Sequence, residues 1–284
     1  MNLTERKKVF IFDLDGTIYK GVKIIPGAKS ILSDLKAQGK HLIFLTNNAT
    51  QSRMSFAHKL KNMGIECTED QIITSGYIAS IMLSKSYKIN FIYVIGSSEL
   101  IKMIEDVGIK TLNHTLPENT LYAPFLDSTI RCDAVLTSLD REFNYMKIRA
   151  AMELINRGAE FYATNGDTTF PEQGQLWPGG GVMLAAVQAC VGREPKEVFG
   201  KPNPHGLRMI YENLKEKGID LQDMVLVGDR FETDILQANR MGIESVLVET
   251  GINTLMDLEK ISDLTLRSEL TPTYIIPSIR HLLD

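Results

Sequence analysis

Two aspartates separated by one leucine end an apolar run near the amino terminus, where residues 9 to 19 read VFIFDLDGTIY. In an extended chain residues two apart point to the same side, so Asp13 and Asp15 are expected close together at the end of a buried strand. At about 4 Å and an effective dielectric near 20, two like charges repel by roughly 4 kcal/mol, so the pair needs a proton, a cation or a chemical task. Other polar residues also follow apolar runs directly: Thr46 and Asn47 after HLIFL, Lys201 after EVFG, and Asp229 and Asp234 after MVLVG. In a parallel sheet the strand ends gather on one edge, which would bring these distant residues into one cluster.

Three or four carboxylates in such a cluster cannot be neutralised by one shared proton. An all-oxygen donor set without histidine or cysteine suits a hard divalent ion, magnesium rather than zinc. A lysine, a threonine hydroxyl and main-chain N–H groups beside that ion suit a phosphate. Gly16 permits a tight turn that would bring main-chain amides towards a bound anion. Pro202 biases Lys201 towards an extended backbone that would aim its ammonium into the cleft.

The elements that must hold these residues alternate along the chain. Short β-branched or aromatic runs are separated by amphipathic stretches, the pattern of an α/β protein with a parallel sheet covered by helices. Core strands are expected at VFIF, HLIFLT, EVFG, MVLVG, SVLVE and TYIIP. A middle stretch has its own strands at FIYVIG, AVLTSL and EFYAT, with helices near Glu99 to Val107 and Tyr145 to Asn156. The expected organisation is a discontinuous core of residues 1–79 and 183–284, with an α/β cap of residues 80–182 inserted. A long loop is expected over 113–132, and PGGG at Pro178 to Gly181 reads as the flexible return from the cap.

Composition narrows the function classes. The 284 residues and 44% hydrophobic content support a substantial core. A net charge of −4 gives no basic field for nucleic acid or an anionic membrane. Cys67, Cys132 and Cys190 form no CxxC pattern and read as small buried residues of a protein in a reducing compartment. With no apolar run of membrane-spanning length and no signal-like start, the expected location is the cytoplasm. The five histidines join none of the motifs.

In order and spacing, DLDGT at Asp13 to Thr17, LTNN at Leu45 to Asn48, GKP at Gly200 to Pro202 and GDRFETD at Gly228 to Asp234 resemble the four motifs of the haloacid dehalogenase superfamily. The large insertion, with YATNGD and PGGG, looks like the cap of subfamily IIA, the NagD-like and para-nitrophenylphosphatase branch. The resemblance implies a Rossmann-like core and a magnesium-dependent phosphatase working through an aspartyl-phosphate. It implies that Asp13 is the nucleophile and Asp15 the general acid and base, and that Thr46, Asn47 and Lys201 hold the phosphoryl oxygens. It implies that Asp13, the Asp15 carbonyl and Asp229 ligate magnesium, with Asp234 behind them positioning Lys201 or metal-bound water. Asn165 and Asp167 would be the substrate contacts of a closing cap, although a simple turn accounts for them equally well. A small phosphorylated metabolite as partner and a homodimer through the cap also follow from the resemblance.

Within the family the second aspartate favours ester hydrolysis over dehalogenation. Two rivals keep the same residues: a phosphotransferase or phosphomutase, and a non-catalytic module that binds metal and phosphate. A glycosidase pair of carboxylates would leave Lys201 and Thr46 without a purpose.

Overall fold

The computed structural model describes residues 3–114, 126–127, 129–172 and 175–284, and the loop expected over 113–132 therefore lies largely outside the described residues. The chain forms two compact units: residues 1–46, 53–73 and 201–284 make the first, and residues 47–52 and 74–200 the second.

The first unit is built on a six-stranded sheet. Its order is Tyr274–Ile276, Glu244–Val248, Met224–Gly228, Val9–Phe12, His41–Thr46 and Ile72–Thr74. Val9–Phe12 pairs in parallel with both neighbours, matching Phe12 to Val227 on one side and to Phe44 on the other. All four of its side chains are buried, as a central strand covered on both faces requires. Phe10 stacks on Phe12, and Phe12 packs on Phe44, with ring centroids 6.4 and 6.2 Å apart. Helix Ala28–Ala37 covers this core with Ala28, Ile31, Leu32 and Leu35, a helical spacing that puts the four on one face.

Numbered within the unit, the sheet order is 3-2-1-4-5-6, the doubly wound arrangement. Its direction reverses between the first and fourth strands, Val9–Phe12 and Met224–Gly228. Ligands of such sheets sit at the carboxyl ends of that pair. Asp13 and Asp229 are the residues that follow these two strands.

The second unit has a five-stranded sheet in the order Glu197–Val198, Glu160–Ala163, Ala134–Thr137, Phe91–Ile95 and Lys110–Thr111, with every pair parallel. An antiparallel hairpin of Thr169–Glu172 and Gln175–Pro178, which the sequence did not reveal, belongs to the same unit. Helix Tyr145–Asn156 has the expected bounds, and the helix expected near Glu99 runs over Ser98–Asp106.

Several expectations need correction. EVFG was expected in the core sheet, but Glu197–Val198 pairs with Glu160–Ala163, and Phe199 stacks on Tyr162 with centroids 5.6 Å apart. Two paired residues and one aromatic stack are enough to assign it to the second unit. Ile72–Thr74 is a core strand that the sequence reading passed over. The cysteines form no disulfide, as expected, but none is fully buried: Cys67 and Cys132 are intermediate and Cys190 is exposed.

PGGG is not a loose return. Gly180 begins helix Gly180–Val191, and the three glycines lie flush against the Asn165–Thr168 turn. Gly179 N–H donates to Thr168 O, and Gly181 N–H to Asp167 O, both at 2.8 Å. A Cβ on Gly181 would meet the carbonyl of Gly166, so close approach rather than flexibility explains the run. Gly181→Ala should accordingly lower the unfolding free energy by about 1–3 kcal/mol, the usual cost of overpacking, measured by urea denaturation.

Candidate active site

Asp13 stands immediately after its strand, with its N–H donating to Val227 O at 2.9 Å. The chain then turns sharply, because Leu14 O accepts the N–H groups of Thr17, Ile18 and Tyr19. The carboxylates that gather around Asp13 are those of Asp229 and Asp234, with one oxygen from each of the three within 4.8 Å of the others. The half-buried Asp15 side chain is not in that group. The strand itself ends at Phe12.

Lys201 lies among these buried acids. Its ammonium donates to Asp13 Oδ1 at 2.5 Å, to Asp234 Oδ1 at 2.6 Å and to Leu45 O at 3.3 Å. Lys201 is 4% exposed and Asp234 1%, so both contacts are made away from water. The Lys201–Pro202 peptide is cis. Asp234 Oδ2 accepts the N–H groups of Asp229 and Arg230 at 3.3 and 3.2 Å. Asp234 therefore fixes both the lysine and the turn that carries Asp229. Thr46, the last residue of its strand, is also buried.

Asp229 is set by glycines. Its Oδ2 accepts Ile252 N–H at 2.8 Å, while Gly16 and Gly251 close around the carboxylate. A Cβ on Gly16 would stand 2.5 Å from Asp229 Oδ2, and the residue has φ +87°, so glycine is required there for two reasons. The Gly16 N–H donates to Tyr19 O at 2.7 Å and closes the tight turn expected at this glycine. Gly228 is equally constrained, since any Cβ would run into the Asp234 carboxylate.

The charges strain one another. Burial raises the Asp13 carboxyl well above the usual range; Lys201 opposes this, while Asp234 and Asp229 add to it. Burial and then Asp234 push Asp229 up to about 7. For Lys201 burial disfavours the ammonium, but Asp13 and Asp234 overcome it, and its pKa is raised. A lysine embedded in carboxylates stays charged, while burial and mutual repulsion raise the pKa of Asp13 and Asp229. A divalent cation would relieve that crowding, and a hard, all-oxygen donor set fits one.

The remaining expected site residues, Asn47, Asn165 and Asp167, all belong to the second unit. Asn47 Nδ2 donates to Asp167 Oδ2 at 3.0 Å. Asn165 is buried; its Nδ2 donates to Asn47 O at 3.0 Å and to Thr164 Oγ1 at 3.2 Å. Its Oδ1 accepts Asp167 N–H at 3.1 Å, which forms a tight turn.

Sequence reasoning missed the segment Gly251 to Asn253. Besides the Ile252 bond to Asp229, Asn253 N–H donates to Asp229 O at 3.0 Å, and Asn253 Oδ1 accepts Phe231 N–H at 2.9 Å. The available signal was its place two residues beyond the strand Glu244–Val248 and Glu249, on the same sheet edge as the aspartates.

The chain as a whole is similar to known proteins. A haloacid dehalogenase-like hydrolase family model matches residues 10–110, and a second, HAD-hydrolase-like model matches residues 198–282. Phosphoglycolate phosphatase 1A of Arabidopsis thaliana, a chloroplast protein, is 35% identical over 90% of this chain and 72% of its own length. The crystal structure of 4-nitrophenylphosphatase from Thermotoga maritima superposes with a TM-score of 0.84 at 29% identity, covering 100% of this chain and 98% of that one. Glycerol phosphate phosphatase of Mycobacterium tuberculosis, solved with magnesium, gives a TM-score of 0.82 at 28% identity over 99% of this chain and 77% of that one. The chain belongs to the haloacid dehalogenase-like hydrolases. Within them it is an enzyme of the phosphatase type, a phosphoric monoester hydrolase. Among the described residues no helix is long and apolar enough to cross a membrane.

The raised carboxyls predict a pH effect. A carboxyl whose pKa rises on folding keeps its proton where the unfolded chain has released it, so its contribution to stability falls as pH climbs through that interval. For Asp229 the interval runs from 3.8 to about 7. In chelator-treated protein the melting temperature should fall across this window, and a divalent cation should restore it at neutral pH. Calorimetry with and without the cation checks both. Gly16→Ala should weaken the cation-dependent shift by displacing Asp229.

Proposed function

We propose that this protein is a magnesium-dependent phosphatase that hydrolyses small phosphomonoesters through an aspartyl-phosphate formed on Asp13. The observation that carries the reading is the buried ammonium of Lys201 bridging Asp13 and Asp234, with Asp229 beside them. The names of the similar enzymes point the same way: phosphoglycolate, 4-nitrophenyl phosphate and glycerol phosphate are all small phosphate esters. The aliphatic esters among these make a phosphorylated metabolite the natural substrate class. We take the cytoplasm as its compartment, in keeping with three unpaired thiols.

In this mechanism a carboxylate oxygen of Asp13 attacks phosphorus, and the bond between phosphorus and the ester oxygen breaks. Asp15 gives its proton to the departing alkoxide. It then takes a proton from water as that water attacks the acyl phosphate, releasing inorganic phosphate and restoring Asp13. Lys201 and Thr46, together with Asn47, hold phosphoryl oxygens while charge redistributes over them. Asp234 keeps Lys201 ionised and oriented. Asp13, the Asp15 carbonyl and Asp229 would hold magnesium, which, when bound, supplies positive charge against both the carboxylates and the phosphoryl group.

The test is phosphate release from 4-nitrophenyl phosphate and a panel of phosphorylated metabolites. Asp13→Asn should reduce activity to background, and chelation should abolish it reversibly. Asp15→Asn should lower kcat by about 10²- to 10⁴-fold, the usual contribution of general acid–base catalysis. An Asp13→Asn variant retaining most of its activity would refute the nucleophile assignment.

A further inference from the structure

The segment Thr250 to Asn253 holds two turns of the site at once, and it lies in the same compact unit as both of them. Thr250 Oγ1 donates to Gly16 O at 2.7 Å, which ties the segment to the turn after Asp13. Ile252 N–H donates to Asp229 Oδ2 at 2.8 Å, and Asn253 N–H to Asp229 O at 3.0 Å. Asn253 Oδ1 accepts Phe231 N–H at 2.9 Å. Between these contacts lies Gly251, where any Cβ would run into the Asp229 carboxylate.

Two half-buried side chains, Thr250 and Asn253, therefore grip main-chain atoms on both strand exits that carry the site's acids. Asp234 Oδ2 accepts the N–H groups of Asp229 and Arg230, so the bond from Asn253 takes up the third consecutive N–H of that turn, on the buried residue Phe231. The segment is itself anchored at each end. Before it, strand Glu244–Val248 pairs in parallel with Met224–Gly228, with Leu247 opposite Gly228. After it, Thr254 and Asp257 close a capping box that starts helix Leu255–Glu259.

A support held in this way fixes the direction in which a carboxylate points, and magnesium tolerates little departure from octahedral geometry. The residues Thr250 to Asn253 include no ionisable side chain. A lysine or arginine here would cancel negative charge that a divalent cation must meet, whereas N–H groups, a hydroxyl and an amide orient the acids and leave the net charge of the cluster unchanged.

We propose that Thr250 and Asn253 are positioning residues for the divalent cation: through Gly16 and Phe231 they keep the Asp13 and Asp229 turns in one register, and they act on the ion only through those acids. The inference rests on the cation reading above and gives a part in cation affinity to a segment outside the four motifs.

The experiment titrates magnesium chloride into chelator-treated full-length protein by calorimetry, without substrate, for wild type, Thr250→Val, Thr250→Ser, Asn253→Ala and Asn253→Asp, with melting temperatures measured in parallel. Thr250→Val and Asn253→Ala should each raise the magnesium Kd by about 10-fold or more, the usual cost of losing a group that orients a metal ligand. Thr250→Ser keeps the hydroxyl and should bind as wild type does. Asn253→Asp keeps the acceptor oxygen and should bind at least as tightly. With 4-nitrophenyl phosphate, activity that Thr250→Val loses at low magnesium should return at saturating magnesium.

A lower melting temperature with an unchanged Kd in Thr250→Val and Asn253→Ala would make these residues merely structural and overturn the proposal, as would an equal loss of affinity in Thr250→Ser. Should Asn253→Ala fail to fold because Phe231 N–H is left without its acceptor, the nearly isosteric Thr250→Val decides. Wild-type protein that binds no magnesium would refute the cation reading itself. Wild type that binds it, with variants that bind equally well, would refute this inference alone.

Discussion

One buried ammonium facing three buried carboxylates is the constraint on which the rest of the site depends. Lys201 is held by Asp13 and Asp234, and Asp229 stands within reach of both acids. With all four groups ionised the cluster has two negative charges in excess. That excess matches one divalent cation, and without it the carboxyl pKa values rise. Gly16, Gly228 and Gly251 have no side chain because the carboxylates occupy the space where a Cβ would stand. Burying such a cluster is costly unless every member has partners, and here main-chain N–H groups of Asp229, Arg230 and Ile252 complete the set.

Sheet topology explains why residues so distant in sequence meet. The reversal of strand order puts Val9–Phe12 beside Met224–Gly228, and Asp13 and Asp229 follow those two strands. The pairing of Phe12 with Val227 fixes the two ends to nearly the same level, so the acids converge without a long loop.

Much of this was legible in the sequence because apolar runs ending in polar residues mark strand ends directly. The core strands at VFIF and MVLVG, Asp13, Lys201 and Asp229 were all found in this way, as was helix Tyr145–Asn156. What was not legible depends on contacts between distant residues. Glu197–Val198 has the composition of a core strand, and only its pairing with Glu160–Ala163 reveals its sheet. The glycines at 179–181 indicate flexibility by composition and close packing by structure. The anchoring segment at Gly251 to Asn253 carries no charged residue to draw notice, since it contributes mainly main-chain donors and one amide.

The points at which the chain passes from one compact unit to the other lie between Thr46 and Asn47 and between Gly200 and Lys201, as well as after Ser52 and Ile73. Two of the four crossings therefore cut through a recognisable motif. The second unit cannot be treated as a self-contained cassette: transplanting it onto another core would carry Asn47 and Gly200 along while leaving Thr46 and Lys201 behind. Chimeras that respect the compact units would split the LTNN and GKP strings themselves, and those joined at the expected cap bounds, residues 80 and 182, would separate Asn47 from the turn that holds it.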